Sequence, residues 1–457
     1  MRSKTCTQSS ISTSHPMDSR LKGAMMTTTT CSKDFWDNFL AHYHNQEIFA
    51  SGPFAQASPL DADALFTTVV DYCRRAQNGQ WGVRLFVDGK AWLSGSGLDD
   101  VEAARAYFPL PTDSNFAGYH RRMTTLCREY CLIINDPESL DFELYHWCRQ
   151  FLRPIFQQNG MNNIGIYNAL FIGNYAKTSF GVHFDPESIF QFPIVGPKTM
   201  RFWSAEYVRD NPDLAESLDY HTHRDAARSL TSHPGEFTYW PKKAWHIAEN
   251  SGELSVALAL SLHEYSDIRP YLVNNLLLPQ LSGARKLNDQ FELGGRPSAA
   301  LEVAGVSYSS TPDVATYDVP QVVSQVFQRL SHMTSPSAAA KFWLRLLSAF
   351  GFTSPPALQT GEIDRQQRYR LYPDFPVLMQ RHDDALYIAA NGYLLACPAP
   401  YAHIRDFIRY LNTHNELQGA EIYQASHALE TDTAKRLLAF LYATRALSPV
   451  GASSAID

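Results

Sequence analysis

The chain has 457 residues, 45% of them hydrophobic and 19% charged, enough for two or three domains around a sizeable core. Its formal net charge of −7 excludes a general attraction to nucleic acid or to anionic membrane, and no apolar run approaches the roughly 20 residues that cross a bilayer. Seven cysteines, an odd number scattered without a CxxC pair, fit neither a disulfide framework nor a structural zinc site and predict reduced thiols in a cytoplasm.

Residues 1–33 are rich in Ser and Thr and lack a signal-peptide core, which predicts a disordered leader. Ordered sequence begins near Asp34-Phe35-Trp36. Leu60, Leu65, Val69 and Cys73 mark an amphipathic helix over Pro59 to Arg75. Trp81 to Val87 and Ala91 to Leu93 read as strands turned through Asp88-Gly89. Asp136-Pro137 reads as the N-cap and first turn of a helix with the stripe Leu140, Leu144, Trp147, Phe151 and Ile155, its last turn disturbed by Pro154.

From Ile164 the texture changes to short strands rich in aromatic and branched residues, separated by Gly, Pro and Asn, as a double-sheet jelly roll demands. The expected strands are Ile164 to Gly173, Gly181 to Asp185, Ile189 to Val195, Thr199 to Trp203, Phe237 to Trp240, Trp245 to Glu249 and Leu254 to Ser261. Between them, Ser204 to Ser232 is a polar, helical-looking insertion that suits a lid. Beyond His263 come helical stretches at Tyr271 to Leu281 and Gln321 to Met333, then a helix capped by Ser335-Pro336 and ended at Gly351. The last unit has strands at Val377 to Arg381, Leu386 to Ala390 and Tyr393 to Cys397, turns at Asp383-Asp384 and Asn391-Gly392, and helices at Tyr401 to Asn412 and Thr433 to Arg445. Strands followed by helices in so short a span suggest a winged-helix module. From Asp364 onward nine Lys plus Arg face ten Asp plus Glu, so it lacks the positive face that phosphate contact needs, and peptide docking is the better expectation.

The chemistry concentrates between Gly181 and Asn250. Side chains two apart on a strand share a face, so His183 and Asp185 point the same way. With His246 from a distant strand they make a two-His, one-carboxylate facial triad, which leaves open positions on iron. Lys198 sits thirteen residues past Asp185. A dioxygen-activating metal needs electrons, which 2-oxoglutarate supplies by oxidative decarboxylation, and its far carboxylate needs a buried cation such as a lysine ammonium. His221, His223 and His233 form a second histidine group, for which a solvated loop is the favoured reading. Cys127 and Cys131 read as buried structural cysteines.

His183, Asp185, Gly196 and Lys198, followed by the Gly235, Pro241, His246 and Asn250 spacing, resemble the JmjC branch of the cupin superfamily, the Fe(II)- and 2-oxoglutarate-dependent oxygenases. The layout is most similar to the ribosomal oxygenases and asparaginyl hydroxylases. That resemblance implies an α+β fold: a double-stranded β-helix core over 34–265, a helical dimerisation region over 266–360 and a winged-helix-like module over 361–457. It implies that His183, Asp185 and His246 hold Fe(II), that Lys198 pairs with 2-oxoglutarate, and that O2 is the co-substrate. Asn168, Ser261 and Tyr167 are further pocket candidates. The asparaginyl hydroxylases place Thr three residues before the first His, where this chain has Phe180, leaving Ser179 or Tyr167 as the replacement hydroxyl. The implied activity is hydroxylation of a side chain in a protein or peptide, including a ribosomally made natural-product precursor, by a homodimer. N-methyl demethylation and a noncatalytic binding module are the alternatives.

Overall fold

The computed structural model describes residues 32–51, 61–76, 82–94, 100–160, 163–250, 252–264, 337–382, 385–398 and 400–451. The expected helices at 271–281 and 321–333 and nearly all of the expected leader lie outside them. Helix Lys33–His42, N-capped by Ser32, is followed by β1 (Phe49–Ala50). Helix Ala62–Arg75, N-capped by Asp61, buries Leu65, Phe66, Val69, Val70 and Cys73 on one face. β2 (Val83–Val87) and β3 (Lys90–Leu93) turn through Asp88-Gly89 as the sequence predicts. Helix Phe116–Leu126 and β4 (Tyr130–Asn135) have no counterpart in the sequence expectations. β4 is buried at five consecutive residues, and a strand covered on both faces carries no alternation to detect.

The long wrapper helix corrects an expectation. Asp136 takes the left-handed conformation and Pro137 opens a short 3₁₀ turn, Pro137–Ser139. The helix proper is Phe142–Asn159, and its cap is Asp141, whose Oδ1 accepts from the Leu144 amide at 3.0 Å. It runs through Pro154 without ending there and stops at Gly160, at φ +72°.

The remaining catalytic-half strands are β5 (Asn163–Gly173), β6 (Glu187–Val195), β7 (Lys198–Trp203), β8 (Arg228–Ser232), β9 (Thr238–Trp240), β10 (Trp245–Glu249) and β11 (Ser255–Glu264). They form a large sheet of order β1-β9-β6-β11-β5-β4-β2-β3 and a small one of order β10-β7-β8. β11 at the centre explains the layering. Val256, Leu258, Leu260 and Leu262 point into a core built with helix residues such as Phe39, Leu65 and Phe151. Alternate residues are small, and Ala259 packs inward with Ile189 and Trp240 against Met200, Phe202 and Ala248 of the small sheet. Strand periodicity therefore puts the bulky side chains of β11 toward the helices and its small ones toward the second sheet.

Gly181 to Asp185 is not a strand. It makes one isolated bridge, His183 to His246, and its other partner is the insertion: Val182 donates to Ser217 O at 3.0 Å and accepts from Glu216 N at 2.7 Å. Gly181, at φ +75°, lets the two backbones meet, since a Cβ there would lie 2.4 Å from Glu216 O. The insertion thus buttresses the histidine segment, packing Val208, Leu214 and Tyr220 around Val182, Trp203 and Ile247. Its end is not helical but β8, paired with β7.

The C-terminal part has its own core. β12 (Arg368–Arg370), β16 (Glu416–Gln418) and β17 (Ser448–Pro449) form one sheet. β13 (Leu378–His382), β14 (Ala385–Ala390) and β15 (Tyr393–Cys397) form another, against helices Ala402–Asn412, Gly419–Ala425 and Thr431–Ala443. Asn391 and Gly392 both have positive φ, as a tight hairpin needs. Helix Ser337–Ser348 packs on β13, β14 and β15, and buried Arg149 of the wrapper helix donates to Asn391 Oδ1 at 2.7 Å. Among the described residues no helix is long and apolar enough to cross a membrane.

Candidate metal centre

The expected triad is assembled. Ligand atoms of His183, Asp185 and His246 all lie within 4.8 Å of one another. His183 Nε2 is 3.7 Å from Asp185 Oδ1, and His246 Nε2 is 3.4 Å from Asp185 Oδ2. Because the two imidazoles sit opposite each other across mutual backbone hydrogen bonds, at 3.0 and 2.7 Å, their rings converge to a centroid separation of 4.5 Å. Lys243, at φ +65° in the turn before β10, donates its amide to Asp185 O at 2.8 Å and ties the third ligand to the same frame.

The tautomers follow from the hydrogen bonds. His183 Nδ1 lies 2.9 Å from Gly181 O, and His246 Nδ1 lies 2.9 Å from Ala244 O. A carbonyl only accepts, so each Nδ1 carries the proton and each Nε2 presents a lone pair. Burial, reinforced by His183, lowers His246 to about 3, and burial raises the Asp185 carboxyl to about 6. At neutral pH the set offers neutral imidazole from His246 and a carboxylate. Two imidazole nitrogens and one carboxylate oxygen fit a divalent first-row ion such as Fe(II), with no further His, Cys, Asp or Glu in the group among the described residues.

Lys198 is 1% exposed, one of the largest fully buried side chains. Gly196, at φ +68° and packed against Leu254 O, makes the turn that starts β7 at this lysine. Its Nζ donates to Asn250 Oδ1 at 2.9 Å and to Tyr175 Oη. Among the described residues it pairs with no carboxylate, and burial lowers it to about 7. A buried ammonium whose partners are neutral fits an anionic ligand such as a carboxylate.

No protein-family model matches the chain, and no curated relative matches it. Similar solved structures include the Escherichia coli ribosomal oxygenase YcfD, at 16% identity over 91% of this chain and 98% of that one, with a TM-score of 0.46. The same protein in complex with cobalt and 2-oxoglutarate aligns over the same shares at 15% identity and a TM-score of 0.44. An oxalate decarboxylase from Bacillus subtilis, OxdC, aligns over 30% of this chain and 26% of that one, at 18% identity and a TM-score of 0.18. These likenesses are low in identity and in TM-score, and the chemistry of the site rests on its own residues.

Tyr175 is the site residue that sequence reasoning missed. It lies past the end of β5, where Asn250 N donates to Ala176 O at 3.1 Å and Thr178 N to Ala248 O at 3.0 Å, laying this segment along β10. The hydroxyl beside Lys198 is therefore Tyr175, not Ser179 or Tyr167. Tyr167 donates instead to Glu187 Oε1 at 2.8 Å. Burial opposes ionisation of Glu187, but the hydrogen bond and charge of His263, 2.8 Å away, and then the bond from Tyr167 hold its carboxyl low. Ser261 pairs in register with Tyr167 and shares its inward face.

Asn168 is the correction. One residue beyond Tyr167 on β5, it points to the opposite face, where its Nδ2 lies 3.5 Å from Cys148 Sγ of the wrapper helix. It is buried away from the triad. Of the second histidine group, His223 is a packing pin: it contacts Asp213 at 3.2 Å and Tyr207 at 3.1 Å, and its carbonyl accepts from the Trp203 indole at 2.8 Å. Cys131 is buried in β4 and Cys127 is partly buried, both as free thiols, in keeping with the structural reading.

Proposed function

We propose that the chain is an Fe(II)- and 2-oxoglutarate-dependent oxygenase that hydroxylates a side-chain carbon of a protein or peptide. The observation that carries this reading is the pairing of a complete facial triad with a buried lysine whose partners among the described residues, Asn250 and Tyr175, are neutral. Iron at the triad supplies the redox chemistry that couples conversion of 2-oxoglutarate and O2 to succinate and carbon dioxide with transfer of one oxygen atom to the substrate. Lys198 would neutralise the far carboxylate of 2-oxoglutarate and Tyr175 would hydrogen-bond it. The Gly181 and Ala244 carbonyls keep both imidazoles in the ligating tautomer. Trp240 and Phe202, with ring centroids 5.0 and 6.1 Å from that of His246, wall the site against water. The likeness to a ribosomal oxygenase agrees with a macromolecular substrate. The C-terminal sheets and helices serve, in this reading, as a winged-helix-like docking module in a cytoplasmic homodimer.

The test is anaerobic reconstitution with Fe(II), then 2-oxoglutarate and air, following succinate. Wild type forms succinate and His183→Ala does not; equal behaviour of the two sinks the enzyme reading. With a substrate peptide, a mass gain of one oxygen supports hydroxylation, and stoichiometric formaldehyde marks demethylation instead.

A further inference from the structure

Arg84 is a cation that the triad and the co-substrate leave unused. It lies on β2 in register with Ile133 of β4, which stands opposite Phe171 of β5. Cross-strand partners share a face, so Arg84 points to the same inward side as Tyr167. Its guanidinium carbon sits 5.2 Å from the centroid of Phe180, and that ring is edge-on to His183 at 5.8 Å. The side chain is half-buried, makes no ion pair among the described residues, and its Nε has no hydrogen-bond partner.

The carboxylates nearby are already engaged: Asp185 belongs to the triad, and Glu187 meets His263 and Tyr167. Among the described residues the Arg84 guanidinium therefore has no carboxylate in ion-pair contact, although it is half-buried beside the triad. A planar guanidinium held on an aromatic face matches a carboxylate in bidentate geometry.

We propose that Arg84 binds a carboxylate of the substrate, so that the modified peptide carries an aspartate or glutamate side chain close to the oxidised carbon. The proposal rests on the oxygenase reading above. It is tested with the full chain loaded with Mn(II) and 2-oxoglutarate, panned against a random peptide library whose C-termini are blocked by the display linker. Wild type is expected to enrich Asp or Glu at one position at least tenfold. Arg84→Gln loses the enrichment and Arg84→Lys keeps part of it. Absence of acidic enrichment with wild type, or its persistence in Arg84→Gln, overturns the proposal. Calorimetry gives the second arm: Arg84→Gln binds 2-oxoglutarate within twofold of wild type, which also shows that it folds. A tenfold loss there assigns Arg84 to the co-substrate and overturns the proposal. Failure of wild type to bind 2-oxoglutarate at all removes the oxygenase reading itself, a different outcome from failure to select acidic peptides.

Discussion

Lys198 Nζ donates to Asn250 Oδ1 at 2.9 Å inside a pocket where, among the described residues, no carboxylate meets it. A fold that carries such a charge for a ligand is less stable than one that does not. Lys198→Met is therefore expected to leave the thermal midpoint unchanged or raised while weakening 2-oxoglutarate by about 2–5 kcal/mol, at least ~30-fold. Calorimetric titration in the presence of Mn(II), beside a melt of both proteins, checks the two halves.

The same lysine sets a pH dependence. Its free-state value of about 7 is depressed by burial, and an anion beside it favours the charged form. Binding above pH 7 must therefore take up a proton, so affinity for 2-oxoglutarate holds below about pH 6.5 and falls by up to about tenfold per unit above 7. Titrations at pH 8 in buffers of different ionisation enthalpy should reveal the proton uptake; none would contradict the assignment.

Tyr175→Phe removes a single hydroxyl from the pair. A hydrogen bond to a charged group contributes about 1.5–3 kcal/mol, so 2-oxoglutarate affinity should drop roughly 10- to 150-fold, while Mn(II) affinity stays within twofold.

Metal should stabilise the fold through the triad. At about 100 times its Kd an ion adds roughly 2.7 kcal/mol, visible as a raised melting temperature on adding Mn(II) or Co(II). The rise should reverse with chelator and be absent in Asp185→Ala.

Asn168→Ala should behave as a core variant. Its side chain meets Cys148, and losing a buried polar partner costs about 1–3 kcal/mol. A lower melting temperature with 2-oxoglutarate affinity within twofold is the expected pair of results; a tenfold loss of affinity would place Asn168 at the pocket after all.

The triad was legible because its signal is local. His183 and Asp185 two apart, and His246 after a Gly and Pro turn, need only strand parity to face one way, and β7 opening at Lys198 after Gly196 follows from the same punctuation. The error at Asn168 has the same root, since a shift of one residue on a strand exchanges the pocket face for the core face. Tyr167 is the residue that β5 turns inward.

Sequence alone thus determined the donor types, the jelly-roll texture and the hairpin at Asn391-Gly392, because each depends on neighbours a few residues apart. Tertiary structure decided what depends on distant backbone. It brought Tyr175 to Lys198 by laying residues 176–178 along β10, held Gly181 to Asp185 in place with Glu216 and Ser217 without a strand, and turned Arg84 of β2 onto the Phe180 ring beside His183. No periodicity along the chain encodes such meetings, because hydrogen bonds between remote segments are fixed only when the sheets close on each other.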